Sequence, residues 1–121
     1  MHLASTGIYR VTPSDTTANV LKGSGIADLK RDSVDPPGDY FVGAFRHADG
    51  RRAALLVNYR FSFSAWPTVI FDAPVERVRE VDKRTGREIP VRDESPDMPG
   101  VQLSLAYGEG RLFRLPAAKA N

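Results

Sequence analysis

Two histidines, fifteen carboxylates and one aromatic-rich stretch are where this 121-residue chain offers side chains suited to chemistry. Histidine titrates near neutrality and is the commonest general base, but it needs a group to act on. His2 stands at the start of the chain. His47 stands two residues before the turn pair Asp49-Gly50, where a polar side chain is expected to face solvent. Neither has a visible nucleophile partner, so no catalytic role is assigned. There are no cysteines, which removes zinc ribbons, iron–sulfur clusters, disulfides and thiol nucleophiles. No glycine-rich loop opens a helix, so that kind of phosphate cradle is absent. The acidic loops at 28–35 and 93–97 offer oxygens to calcium, but neither has the spacing of an EF-hand, and both are read as solvated. A glycosidase needs two carboxylates roughly 5–10 Å apart, a condition that any two acids on neighbouring strands satisfy. Nothing selects such a pair, and the expectation is a non-enzyme with no metal and no cofactor.

The most unusual stretch is Tyr59-Arg60-Phe61-Ser62-Phe63-Ser64-Ala65-Trp66-Pro67. On an extended chain Tyr59, Phe61 and Phe63 share one face, and Arg60, Ser62 and Ser64 share the other. Aromatic residues at strand parity usually bury, so these are expected to continue a core parity set by Leu55 and Val57. The other reading is an exposed platform for the apolar face of a sugar ring, with Arg60 or Ser62 reaching its hydroxyls. Trp66, beside a proline at a loop, suits a platform better than the phenylalanines. Trp66, Tyr59, Arg60, Phe61 and Phe63 are therefore the carbohydrate-binding candidates.

The elements that must position these residues are strands. Nine prolines and ten glycines are spread along the chain and leave almost no window for a sustained amphipathic helix. Asp49-Gly50, between Tyr40-Phe41-Val42-Gly43-Ala44-Phe45-Arg46 and Arg52-Ala53-Ala54-Leu55-Leu56-Val57-Asn58-Tyr59, predicts a hairpin with a type I′ turn. Thr68-Val69-Ile70-Phe71 is the next strand, 75–81 a further one with a bulge, and Asp82-Lys83-Arg84-Thr85-Gly86 a second turn leading into Glu88-Ile89-Pro90-Val91. Val101, Leu103 and Leu105 alternate with Gln102 and Ser104, as on a sheet that buries one face. Arg111-Leu112-Phe113-Arg114-Leu115 closes the series. The prediction is an all-β, antiparallel β-sandwich of about seven to nine short strands.

The sandwich is placed at 39–116. Residues 1–38 are read as an N-terminal extension or linker with one or two added strands, a short one at Gly7-Ile8-Tyr9-Arg10-Val11 and a weak one through Ile26 to Leu29, ended by Asp35-Pro36-Pro37-Gly38, and 117–121 as a frayed tail. With 41% apolar and 26% charged residues the composition is that of a soluble globular chain. No apolar run approaches the roughly 20 residues of a membrane span, and no signal-peptide pattern is present. Seventeen basic against fifteen acidic residues leave a net charge of +2. The two signs interleave, as in Glu76-Arg77-Val78-Arg79-Glu80, which reads as a solvated strand face and argues against nucleic acid.

Several of these segments together resemble a known module. Val42 to Asn58 carries a VGxFxxxDGxxxxxxVN text, Glu80 to Gly86 an EVDxxTG text, and Gly108 to Leu115 a text close to GDGRLFxL. Ser5-Thr6-Gly7-Ile8-Tyr9 is similar to the segment that leaves the catalytic barrel in some bacterial glycoside hydrolases. In this respect the chain resembles the C-terminal antiparallel β-sandwich module of bacterial glycoside hydrolases of the β-galactosidase and α-amylase type, most densely over 39–115. It departs from that pattern at Tyr107 and Glu109, where proline and aspartate are usual, and at 59–66, where relatives have a polar crossover. The resemblance implies a non-catalytic accessory domain whose partner is a catalytic barrel, in the same parent chain or a separate subunit. A barrel needs about 250 residues, so the part that does chemistry is the part this length excludes. No catalytic residue of such enzymes falls on this sequence. The alternatives are a free-standing carbohydrate-binding module and a structural domain that self-associates through an apolar edge.

Overall fold

The computed structural model describes residues 3–11, 24–30, 40–59, 64, 66–94 and 100–117, of which 3–11, 28 and 30 by backbone alone. It is an all-β fold of two antiparallel sheets. The strands are β1 (Leu3–Val11), β2 (Ile26–Lys30), β3 (Tyr40–His47), β4 (Arg52–Asn58), β5 (Thr68–Phe71), β6 (Arg79–Val81), β7 (Glu88–Pro90), β8 (Val101–Gln102) and β9 (Gly110–Leu115). Six of them form one sheet in the order β1-β3-β4-β9-β6-β7, and three form the other in the order β2-β5-β8.

The core fills the space between the sheets. Tyr40, Val42, Ala54, Leu56, Phe113 and Leu115 come from the larger sheet, and Ile26, Leu29, Val69, Phe71 and Val101 from the smaller one. Phe71 and Phe113 meet edge to face at 5.2 Å, joining the layers with the offset that aromatic quadrupoles prefer. Leu103 and Leu105 are fully buried and Ser104 is exposed, so the alternation read from 101–105 is realised, although the ladder of β8 covers only Val101 and Gln102.

Three expectations are corrected. First, the hairpin at Asp49-Gly50 forms, but its turn is not type I′. Gly50 alone is at positive φ (90°), and His47 donates to Arg51 O at 2.8 Å while accepting from Gly50 N at 3.0 Å. This is a three-residue loop, a type I turn closed by a left-handed glycine, and Asp49 keeps ordinary backbone by accepting from Arg51 N at 3.0 Å. Second, 75–81 is not one strand. Pro74 and the prolyl carbonyl start a 3₁₀ turn over Val75–Arg77, with Val78 N donating to Val75 O at 3.0 Å, and the ladder begins only at Arg79. Residues 1–38 supply two strands where 7–11 and 26–29 read as β. β1 pairs with β3 along its whole length, with one register shift between Ser5 and Gly7, and β2 pairs with β5 and sends Ile26 and Leu29 into the core. Pairing across the sheet, not local composition, makes those weak segments strands. The break at 35–38 and the tail at 118–121 lie outside the described residues.

The third correction concerns parity. In β4 the core side is Ala54, Leu56 and Asn58, while Leu55 and Val57 point outward and are half-buried. The run Ala53-Ala54-Leu55-Leu56-Val57 is apolar on both faces, so alternation alone could not choose. The choice is made by β9, whose Phe113 lies opposite Ala54 and faces the second sheet.

Candidate functional site

The insertion of β9 between β4 and β6 decides which basic side chains meet. Arg114 lies opposite Ala53 on β4 and Arg79 on β6, so Arg114 and Arg79 stand side by side on the outer face. Arg51 closes the β3–β4 turn beside them, and Arg77 ends the 3₁₀ turn that leads into β6. These four arginines, with Glu88, Leu115 and Pro116, line an open cleft of about 260 Å³.

Two carboxylates partly balance the cleft. Arg51 Nε donates to Asp49 Oδ2 at 2.8 Å, and Arg114 pairs with Glu88 at 3.5 Å. Arg79 donates to the Glu88 carbonyl at 3.3 Å. Among the described residues the Arg77 guanidinium has no such partner. Beyond Arg77 and Pro116 a second hollow of about 270 Å³ opens against Arg52, Asp72, Ala73, Pro74 and Ala117. Arg52 is fully engaged there: it holds Asp72 through two bonds of 2.6 and 2.8 Å, and its Nε donates to Pro116 O at 2.9 Å. It ties the ends of β4, β5 and β9 together and fixes the rim of the arginine cleft.

His47 overturns the expectation of a solvent-facing turn histidine. Its residue is 5% exposed, and Arg114 donates to its Nε2. A guanidinium can only donate, so the ring is neutral with its proton on Nδ1. Burial lowers the His47 pKa below its ordinary value, and the Arg114 and Arg51 charges act in the same direction. Asp49 is held below the usual carboxylate range by the Arg51 backbone N–H, with the Arg51 side chain adding to it. The imidazole therefore serves as an acceptor that fixes Arg114.

The interleaved segment 76–80 is likewise not a solvated face throughout. Glu80 and Arg111 are 4% and 3% exposed and form a two-bond ion pair, Arg111 Nε donating to Glu80 Oε2 at 2.8 Å and a terminal nitrogen to Oε1. Near it, Glu109 is lowered in pKa although its burial opposes this. Lys83, at 2.6 Å, and the Ala106 N–H donate to its carboxylate and outweigh that burial. Asp93 accepts from Gln102 N at 3.0 Å, which occupies it in the 93–97 loop, and among the described residues no three of His, Asp or Glu converge as metal ligands.

Of the carbohydrate candidates, Trp66 and Tyr59 are 44% and 39% exposed. Tyr59 has the parity of Leu55 and Val57, which face outward, and it follows the last ladder residue, Asn58, whose amide is tied to the Leu105 and Ala106 carbonyls. Its ring packs edge to face on Phe41 at 4.5 Å, and it is not between the sheets as its parity with Leu55 suggested. Arg60, Phe61 and Phe63 lie outside the described residues. The arginine cleft escaped sequence reasoning because residues 51, 77, 79 and 114 meet only through a strand order that no local pattern encodes.

Compared with protein-family models, with curated proteins and with solved structures, the chain matches none.

Proposed function

We propose that this sandwich is a non-catalytic accessory domain that packs against a larger protein, the catalytic barrel of a glycoside-hydrolase-like enzyme. One observation carries the reading: among the described residues, the outer face of the six-stranded sheet has an apolar patch over β3, β4 and the adjoining ends of β9 and β6, beside the arginine cleft, where a solvated antiparallel sheet is usually polar. Phe41 and Phe45 on β3, Leu55 and Val57 on β4, Leu112 on β9 and Val81 on β6 are all half-buried on that side. Glycines let them close into one surface. A Cβ on Gly43 would sit 3.1 Å from the Phe45 ring, and one on Gly110 would sit 3.2 Å from Val57 and 3.4 Å from Leu55. A patch of this kind gains stability when a partner removes it from water, at about 25 cal/mol per Å² of apolar surface. The resemblance to C-terminal modules of glycoside hydrolases supports the nature of that partner.

The test pairs this chain with a β-galactosidase- or α-amylase-type barrel encoded beside it. Adding the chain is expected to raise the barrel's melting temperature, and Leu55→Glu, in the middle of the patch, is expected to remove the effect while the variant stays folded by circular dichroism. The absence of such a barrel, or a barrel that melts unchanged in its presence, refutes the reading.

The exposure of Trp66 and Tyr59 favours a second reading, a carbohydrate-binding module with an aromatic platform. Trp66 is the sole tryptophan, so its emission reports that position alone. Protection from acrylamide quenching by an added oligosaccharide supports the platform, and quenching that no oligosaccharide alters rules it out.

A further inference from the structure

We infer that the cleft between the β3–β4 turn and the start of β6 binds a phosphomonoester carried on a small organic body. The cleft charge selects the head group. Among the described residues, four guanidinium groups, of Arg51, Arg77, Arg79 and Arg114, face two carboxylates, Glu88 in the lining and Asp49 beside Arg51, and this leaves two positive charges. His47 adds none, because its Nε2 accepts from Arg114. A phosphomonoester near neutral pH carries about two negative charges and presents three acceptor oxygens, whereas a monocarboxylate leaves half of the charge unmatched.

Geometry supports the same ligand class. Guanidinium forks donate two parallel bonds to phosphate oxygens. Arg79 and Arg114 are adjacent on paired strands and are held in place by Glu88 and His47. Arg77 is uncommitted among the described residues and stands on an exposed turn, where it can close over a ligand. Pro116, half-buried at the rim, gives the cleft an apolar edge beside the charged groups, so part of it suits carbon. At about 260 Å³ the cleft is larger than a bare phosphate needs. It lies just below the roughly 300–1,000 Å³ of sites for drug-sized molecules, which limits the body to about the size of one sugar ring. This inference uses other residues than the accessory-domain reading, and its titration reads the chain alone, so the two fail separately.

The experiment is calorimetric titration of the chain at low ionic strength with glucose 6-phosphate, inorganic phosphate, gluconate and glucose. Glucose 6-phosphate is expected to bind tightest, inorganic phosphate more weakly for lack of the Pro116 contact, gluconate more weakly still, and glucose not at all. Arg77→Gln, at an exposed position, is expected to weaken glucose 6-phosphate by about tenfold or more through the loss of a charge-assisted bond, and Arg79→Gln similarly. Arg84→Gln, outside the cleft, is expected to change nothing. Melting curves of each variant establish that it is folded. No binding of glucose 6-phosphate at millimolar concentration, equal affinity for gluconate, or an unchanged affinity in Arg77→Gln would each overturn the inference.

Discussion

Replacing Glu80 by Leu should be among the most damaging single changes in the larger sheet. Its carboxylate is buried and holds Arg111 through two bonds, one of 2.8 Å, and the Arg111 guanidinium lies 5.7 Å from the centre of the Phe113 ring. Removing the carboxylate leaves a guanidinium that is 3% exposed without its counter-charge. Breaking one side of a buried pair costs about 3–5 kcal/mol, a large share of the 5–15 kcal/mol that is typical of a domain's whole stability. For a chain of this size that corresponds to a fall in Tm of roughly 10–20 °C. The double variant Glu80→Leu/Arg111→Met removes both charges and puts apolar volume in their place. Desolvation of the ions then no longer opposes folding, and the double variant should lie within about 2 kcal/mol of the parent, or above it. Urea unfolding of the parent, both single variants and the double variant, followed by far-ultraviolet circular dichroism, measures all four corners of the cycle. A loss under 1 kcal/mol in Glu80→Leu would refute the reasoning, as would a double variant whose loss equals the sum of the singles.

Two other predictions concern the cleft and the turns. Because the folded-state pKa of His47 is below its ordinary 6.5, the unfolded chain binds more protons in that window, and the contribution of His47 to stability is present above 6.5 and is lost as pH falls through the folded value. The parent should therefore lose more Tm between pH 7.5 and 5.0 than His47→Gln, whose amide oxygen accepts from Arg114 without titrating, and parallel profiles would show that His47 is not the group. Gly100→Ala and Gly86→Ala both place a side chain at positive φ, 82° and 72°, but only the first has no room, its Cβ meeting Thr68 Cγ2 at 2.8 Å and Val69 O at 3.2 Å. Gly86→Ala should cost about 1–2 kcal/mol of backbone strain, and Gly100→Ala about 1–3 kcal/mol more for the crowding. Equal losses in urea melts would mean that the loop before β8 yields freely.

Certain properties of this protein follow from its residues in order. The scattered prolines and glycines, the Asp49-Gly50 pair and the alternation through Val101, Leu103 and Leu105 each act over a few residues, and each leads to strands and turns that the fold contains. Local physics suffices there, because proline geometry, left-handed glycine and strand parity depend on the immediate chain. It did not suffice where a segment satisfies two environments equally. β4 is apolar on both faces, and its core side was chosen by the register with β9. Weak segments such as Ile26–Lys30 became core strands because a partner strand accepted their backbone groups. The same holds for the sites. The Glu80–Arg111 pair, the burial of His47 against Arg114 and the arginine cleft all join residues tens of positions apart, and all depend on β9 lying between β4 and β6. Charge and aromaticity are written in the sequence, but whether they meet water, each other or a ligand is a property of which strands are neighbours, and that is decided by pairing across the whole chain.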